Sequence, residues 1–336
     1  MPKDWRPSAS FTTMRRRAAV VAALRGYFDA QGVCEVSTPL LSSQATTEPT
    51  LSNLSVAHAF ADGQCWYLRT SPESAMKRLV AAGSGDIYQL GPVFRADERG
   101  RHHLTEFTLL EWYRLGFSLS ALMDDVEAAM AAAGFKRSIA RCTYAELFAG
   151  QFGAPPHSLS NQDLAALAAQ RGMALSLADQ QDRALLFDCL YACVLEPALA
   201  AEGAVFVYDY PPELRAYARL SDGEPVCAAR FELVVDGLEL ANGYFEITDA
   251  AEQARCFEAD NTTRGARGLP LVAHDSEWLA ALADGMPPCA GVALGVERLL
   301  MVLGLGQRID EVSLFARELD EEDERAASSL FSSSTI

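Results

Sequence analysis

A chain of 336 residues, half of them hydrophobic and 22% charged, has the make-up of a globular protein with a sizeable core, which excludes fibrous and wholly disordered classes. Its 45 acidic residues against 28 basic ones give a formal charge of −17, which argues against extensive nucleic-acid contact, because phosphate-binding surfaces draw their affinity from lysine and arginine. No run reaches the roughly 18 apolar residues of a membrane span, and the charged segment 1–17 is not followed by a signal-type apolar core, so a cytoplasmic protein is expected.

In chain order, Thr12 and Thr13 stand ready to cap a helix reaching about Gln31, with Val20, Leu24, Tyr27 and Phe28 along one side and Gly32 as its stop. A short β segment, Val33 to Ser37, ends at Thr38-Pro39. A second helix has Ser71 as expected N-cap, Pro72 in its first turn, Met76, Leu79 and Val80 inside, and Gly83 after its end. Residues Asp86 to Arg95 and Glu106 to Leu115, rich in β-branched and aromatic side chains, predict an antiparallel strand pair, with the charged stretch 96–105 as its loop. The region from about 118 to 201 reads as a helical insertion. Strands are expected again at Val205–Tyr210 and Pro225–Val235, and Asp236-Gly237 is a type I′ hairpin signal leading into Leu238–Thr248. A helix over Asp249–Thr263 follows, then a buried strand Gly291–Gly295 running into a helix, Val296–Leu303. An acidic run and a Ser-rich end close the chain. Eight scattered cysteines lack zinc or redox spacing, so free thiols are expected, with neither zinc nor disulfides. Antiparallel strands with helices outside them make the fold class α+β, and the lack of a Gly-Lys-Ser/Thr phosphate loop agrees with that. One domain, 1–317, with a tail at 318–336, is the expected organisation.

Three constellations carry chemistry. Glu232, Glu239 and Glu246 are spaced by seven. A two-residue turn places Glu239 opposite Val234 and Ala241 opposite Glu232, so Glu232 and Glu239 become diagonal neighbours on one face. Carboxylates held that close repel unless a cation or a proton intervenes, and magnesium suits oxygen ligands. Glu246 needs a bulge, expected at Asn242-Gly243, to reach the same face. The spacing alone fits a solvated hairpin face equally well. Second, Arg95 at a strand end, beside Arg99, Arg101, His102 and His103, has the means to grip a triphosphate, although a basic loop alone is more often a solvated turn. Third, Gly291-Val292-Ala293-Leu294-Gly295-Val296-Glu297-Arg298-Leu299 brings a close-approach backbone to a helix start. Arg298 there opposes the helix dipole, which a bound anion would explain; close strand-helix packing is the plainer alternative.

In order and spacing, these constellations resemble motifs 1, 2 and 3 of the class II aminoacyl-tRNA synthetases: Ser37-Thr38-Pro39-Leu40-Leu41, Phe94-Arg95 through Glu106-Phe107-Thr108-Leu109-Leu110-Glu111-Trp112-Tyr113, and Gly291 to Leu299. Glu239-Leu240-Ala241-Asn242-Gly243 and Glu111-Trp112-Tyr113 resemble the lysyl branch. Ser71-Pro72-Glu73, the run Gly285 to Gly291, Ala293, and a start close to motif 1 without an anticodon-binding barrel are similar to the stand-alone paralogues that attach (R)-β-lysine to a lysine of elongation factor P. The resemblance implies activation of β-lysine, or of lysine, as an adenylate from ATP. It implies Arg95 and Arg298 as catalytic groups; Arg95, Ala96, Asp97, Glu98, His103, Leu104, Glu239, Leu240, Gly295 and Arg298 at the nucleotide; Ser71, Pro72, Glu73, Glu111, Tyr113, Asn242, Glu246 and Ala293 at the amino acid; and Glu232 and Glu239 at magnesium. It also implies a homodimer through motif 1, with elongation factor P as the acceptor. Asp97 stands where motif 2 usually has glutamate, Leu104-Thr105 replace an Asn-Pro pair, and Phe245 replaces a polar residue, so contacts to adenine or ribose are expected to be rewired through Glu98. A free-standing tRNA-charging enzyme and a catalytically silent paralogue are the alternatives.

Overall fold

A computed structural model describes residues 5–57 and 65–316. The acidic run and the Ser-rich end lie outside them. The described residues form two compact units, one built from the chain up to Phe135 and again from Glu246 onward, the other from Lys136–Phe245.

The first unit opens with helix α1, Phe11–Ala30. Its N-cap is Ser10, whose hydroxyl accepts from the Thr13 amide at 3.0 Å, so Thr12 and Thr13 lie inside the first turn instead of capping it. Strand β1 is only Cys34–Glu35, shorter than the expected Val33–Ser37. The two- and three-residue strands β2 (Leu41–Ser42), β3 (Ser55–Val56) and β4 (Trp66–Leu68) make a small antiparallel sheet in the order β2-β4-β3, too short to leave a periodic signal. Helix α2, Glu73–Ala81, starts one residue later than expected, with Pro72 at its N-cap position. Ser71 still accepts from the Glu73 amide at 3.0 Å, but its own proton goes to Glu111 at 2.7 Å.

Strands β5 (Ile87–Phe94) and β6 (Glu106–Leu115) pair antiparallel over their whole length, and β1 joins β5 in parallel. Alternation along β6 divides its work. Trp112 points into the core, where Phe28 of α1 meets it edge-on at 5.2 Å and stacks on Tyr88 at 4.5 Å, while Glu111 and Tyr113 point to the other face. Helix α3, Leu119–Ala132, capped by Ser118, closes the core side through Asp125, which accepts from the Trp112 indole at 3.0 Å and from the Tyr27 hydroxyl.

The second unit begins with a strand, β7 (Ala140–Thr143), inside the stretch read as helical. Helices α4 (Tyr144–Phe152) and α5 (Asn161–Gln170) both start with capping boxes, Thr143 with Glu146 and Ser160 with Asp163. Helices α6 (Arg183–Leu190) and α7 (Glu196–Glu202) are joined by a π-helical turn, Tyr191–Leu195. The run Arg183–Glu202 is long and apolar enough to cross a membrane by composition. Here Leu186, Phe187, Leu190, Leu195 and Leu199 are buried in one cluster with Val205 and Val207, which makes it the core helix of this unit. Strands β8 (Ala204–Tyr210), β9 (Ala228–Val235) and β10 (Leu238–Phe245) follow; β7 lies parallel to β8, and the others pair antiparallel. Asp236 and Gly237, at φ 52° and 79°, make the two-residue turn that the Asp-Gly signal requires.

The chain returns to the first unit through helices α8 (Ala250–Ala266) and α9 (Ser276–Gly285), strand β11 (Cys289–Gly295) and helices α10 (Val296–Val302) and α11 (Ile309–Val312). Strand β11 pairs antiparallel with β6, setting Gly291 opposite Tyr113 and Ala293 opposite Glu111. The strands are mostly antiparallel with helices flanking them, the α+β class.

Candidate active site

Within the first unit, four segments converge on a cluster of buried carboxylates. Glu111 of β6, 3% exposed, accepts from Ser71 and from Tyr113, both at 2.7 Å. Glu246, 1% exposed, lies just past β10, anchored by its amide on the Cys289 carbonyl at 3.0 Å. Glu73, in the first turn of α2, reaches the ammonium of Lys77 one helical turn later at 2.6 Å, and Lys77 also meets Glu246 at 2.6 Å. Gly291 makes this convergence possible, because a Cβ there would collide with the Glu246 carboxylate and the Tyr113 ring. Burial pushes the Glu111 carboxyl up to about 7; Glu73 adds to this, and hydroxyls of Tyr113 and Ser71, with Lys77, oppose it. Burial likewise pushes Glu246 up to about 7 against the pull of Lys77. For Lys77, burial works against the charge, yet Glu246 and Glu73 outweigh it and raise the ammonium's pKa.

Ser71, Pro72, Glu73, Glu111, Tyr113, Glu246 and Ala293 therefore come together, Ala293 through its pairing with Glu111. Lys77 was not foreseen, although its i,i+4 spacing from Glu73 on a helix is legible in the sequence.

The second group in the same unit is cationic. Arg95, a quarter exposed at its side chain, follows β5, with its amide bonded to Thr105 at 2.9 Å, its guanidinium 5.1 Å from the centre of the Phe107 ring and 3.4 Å from Glu98. Asp97 adopts a left-handed conformation at φ 63°, a geometry asparagine and aspartate tolerate better than most residues. Arg298, in the first turn of α10, lies 2.7 Å from His103 Nε2. Burial, then Arg298, His102 and Arg95, lower the His103 pKa to about 4, so the ring is neutral and able to accept from the arginine. Two guanidiniums and a neutral imidazole thus share the mouth of the 96–105 loop. A Cβ at Gly295 would touch only the Arg298 side chain, at 3.7 Å, so internal packing does not demand a glycine there. Glu297, 4% exposed, ties the elements together by accepting from the Thr108 amide at 2.9 Å and pairing with Arg17 at 2.9 Å; its role inside motif 3 was not foreseen.

The second unit holds Glu232, Glu239 and Asn242. The hairpin starts in the expected register, with Glu239 opposite Val234, but the bulge falls between Glu239 and Ala241 instead of at Asn242-Gly243. Glu232 consequently faces Asn242, not Ala241. Leu240 is the extra residue, and it resets the pleat so that Glu239 and Asn242 share the Glu232 face. The Asn242 amide nitrogen lies 3.5 Å from Glu232 and 3.4 Å from Glu239, and its buried oxygen has no hydrogen-bond partner among the described residues. Glu246, expected to complete this trio, is instead the partner of Lys77 in the first unit. Two further groups hold Glu232: Arg230, two residues before it on the same face, and Tyr191, whose hydroxyl donates at 3.0 Å. Burial raises the Glu232 carboxyl above its usual range, against Arg230 and with help from Glu239. Tyr191 belongs to the π-helical turn, a distortion that recurs at functional sites and leaves no trace in residue periodicity. The two carboxylates, held on one sheet face with the Asn242 amide nitrogen toward both, are hard oxygen donors of the kind magnesium takes.

A family model for class II tRNA synthetases (D, K and N) matches residues 3–319. The elongation factor P–(R)-β-lysine ligase of Vibrio cholerae serotype O1 is 41% identical over 316 residues, covering 93% of this chain and 97% of that protein. This chain belongs to the class II tRNA synthetase family, among the relatives of the elongation factor P–(R)-β-lysine ligases. The ligases of Vibrio vulnificus, at 40% over 94% of this chain and 98% of theirs, and of Pseudoalteromonas translucida, at 41% over 93% and 97%, agree with that placement. The class II synthetase family carries ATP-dependent ligase chemistry, and the arginines that the motif resemblance implies at the nucleotide, Arg95 and Arg298, are both present here.

Proposed function

We propose that this enzyme activates (R)-β-lysine as an adenylate and transfers it to a lysine of elongation factor P. The observation that carries the reading is the cluster of half-buried Glu73 with buried Glu111 and Glu246, which holds three carboxylates against the ammonium of Lys77. A diamine acid desolvated there needs acidic partners, and the named activity of the relatives supplies the same class of substrate.

In this reading a substrate carboxylate oxygen attacks the α-phosphorus of ATP and pyrophosphate leaves. An acceptor ε-amine then attacks the acyl carbon and AMP leaves with the bonding electron pair, the amine's proton passing to solvent or phosphate. Arg95 bridges the substrate carboxylate and the α-phosphate, and Arg298 holds the γ-phosphate; both act by position and charge, not covalently. Neutral His103 orients Arg298 without competing for the phosphate. Ala96, Asp97, Glu98 and Leu104 line the nucleotide from the motif 2 loop, and Gly295 leaves it room. Glu232 and Glu239 would hold magnesium, which would supply charge neutralisation at phosphate when bound. Asn242 sits with these two carboxylates and orients them. The protein works in the cytoplasm as a homodimer through α1, whose Phe11 is 67% exposed.

The test is to incubate enzyme with ATP, magnesium and either (R)-β-lysine or α-lysine, then weigh elongation factor P by intact mass spectrometry, with bulk tRNA as a parallel acceptor. A gain of one β-lysine residue on the protein is expected. Charging of tRNA alone would replace this reading with a tRNA ligase, and no AMP formation would make the chain a silent paralogue.

A further inference from the structure

The activation chemistry gives Lys77 no task. Its side chain is fully buried, its ammonium 2.6 Å from both Glu73 and Glu246 and 4.8 Å from the centre of the Trp278 ring on α9. Withdrawing an ammonium from water is costly, and a well-packed neutral residue usually serves stability as well or better. A charge kept in such a place answers to other charges.

The charges around it can be counted. Facing one another are the carboxylates of Glu73, Glu111 and Glu246 and the ammonium of Lys77. Tyr113 and Ser71 contribute hydroxyls to Glu111 and no charge. The thiol of Cys289, beside Glu246, is pushed up by burial and is neutral. Arg69, the next buried cation, spends its guanidinium on the Thr38 hydroxyl and on the Thr38 and Pro92 carbonyls, and acts on Glu111 only at longer range. Asp275 is engaged with Ser74 and the first amides of α9. Three negative charges against one positive leave a deficit of two, the number of ammonium groups on a diamine monocarboxylic acid.

We propose that Lys77 is a specificity-determining residue, a built-in counter-cation that fixes the charge deficit of the amino-acid pocket at two, so that an amino acid bearing two ammonium groups fills it without a proton. The proposal rests on the diamine-acid reading above and deepens it. It also fits the empty cluster, where Glu111 and Glu246, each pushed up to about 7 mainly by burial, take up protons more readily than ordinary carboxylates. An acid with one ammonium leaves a carboxylate that must keep its proton, and that difference is discrimination.

Amino-acid-dependent pyrophosphate exchange measures it, comparing (R)-β-lysine with β-aminohexanoic acid, which lacks the terminal ammonium. Glu246→Gln lowers the deficit to one, and the ratio of kcat/KM values for the two acids is expected to fall about tenfold or more. Adding Lys77→Met restores a deficit of two without leaving an unmatched buried charge, and the ratio should return most of the way to the wild-type value, mainly through KM. A purely structural Lys77 would leave the ratio of the double variant at or below that of Glu246→Gln, which would overturn the proposal. Absence of exchange with either acid in the wild type would instead defeat the functional reading itself.

Discussion

Three carboxylates from three separate stretches of chain share one lysine in the first unit, whereas two carboxylates of a single hairpin share one arginine in the second. In the first, the partners surrounding the charges are hydroxyls, an aromatic face and an ammonium, and the deficit suits an organic cation with several hydrogen-bond donors. In the second, the partners are an arginine, a tyrosine and an amide whose nitrogen lies toward both carboxylates, and the donor set suits a small hard ion. On the proposed function, the same residue type, glutamate, serves different ligands according to what packs around it and how much charge is left over.

The comparison breaks most readily at the arginines proposed to bind phosphate. Arg95→Ala is expected to slow pyrophosphate exchange by about 10²- to 10³-fold, while the thermal midpoint of the first unit moves little, since the partly exposed Arg95 side chain makes long contacts to Glu98 and Thr70 and lies over the Phe107 ring. A comparable rate in the variant would remove Arg95 from the chemistry. Next in size, Glu232→Gln should raise the magnesium concentration for half-maximal exchange by about tenfold or more, with the KM for β-lysine little changed; the reverse pattern would move Glu232 from the ion to the amino acid.

The pH dependence separates the two clusters further. Glu111 and Glu246 titrate near 7 in the folded protein because burial raises both, so they must lose protons before binding ammonium groups. The KM for β-lysine is expected to fall about tenfold between pH 6 and pH 8, following the proton linkage. In the ligand-free protein the sign is opposite for stability. The folded state binds more protons than the unfolded one between about 4.5 and 7, so these two groups stabilise below the unfolded value and that contribution is lost as the pH rises through 7. A thermal midpoint that drops over this range, and drops less with β-lysine bound, is the expected observation. The smallest effect lies outside both clusters. Thr143→Ala removes a capping box at α4 and should cost about 1 kcal/mol, seen in denaturant unfolding, with exchange per folded molecule unchanged.

What could be read in the sequence follows the range of the contacts involved. The Asp236-Gly237 hairpin and β6 were legible because a turn signal and a run of β-branched and aromatic residues act over a few positions, and Glu232 and Glu239 could be paired from the hairpin register alone. The bulge was anticipated in kind and misplaced in position, since Asn242-Gly243 looks the weaker point while packing makes Leu240 the extra residue. The Glu73, Glu111 and Glu246 cluster came only through family resemblance: no local pattern joins residues so far apart in the chain. Lys77 was missed although its i,i+4 spacing from Glu73 is legible, because its burial depends on Glu246 and Trp278. Tyr191 reached Glu232 through a π-helical turn that no periodicity announces, and β2, β3 and β4 are too short to have a period.

The most direct test of the account is pyrophosphate exchange by the wild-type enzyme with (R)-β-lysine against β-aminohexanoic acid. Strong exchange with the two-ammonium acid, and little with its one-ammonium analogue, is the expected result. Equal exchange with both would contradict the claim that the buried carboxylates of the first unit are there to count the substrate's charges.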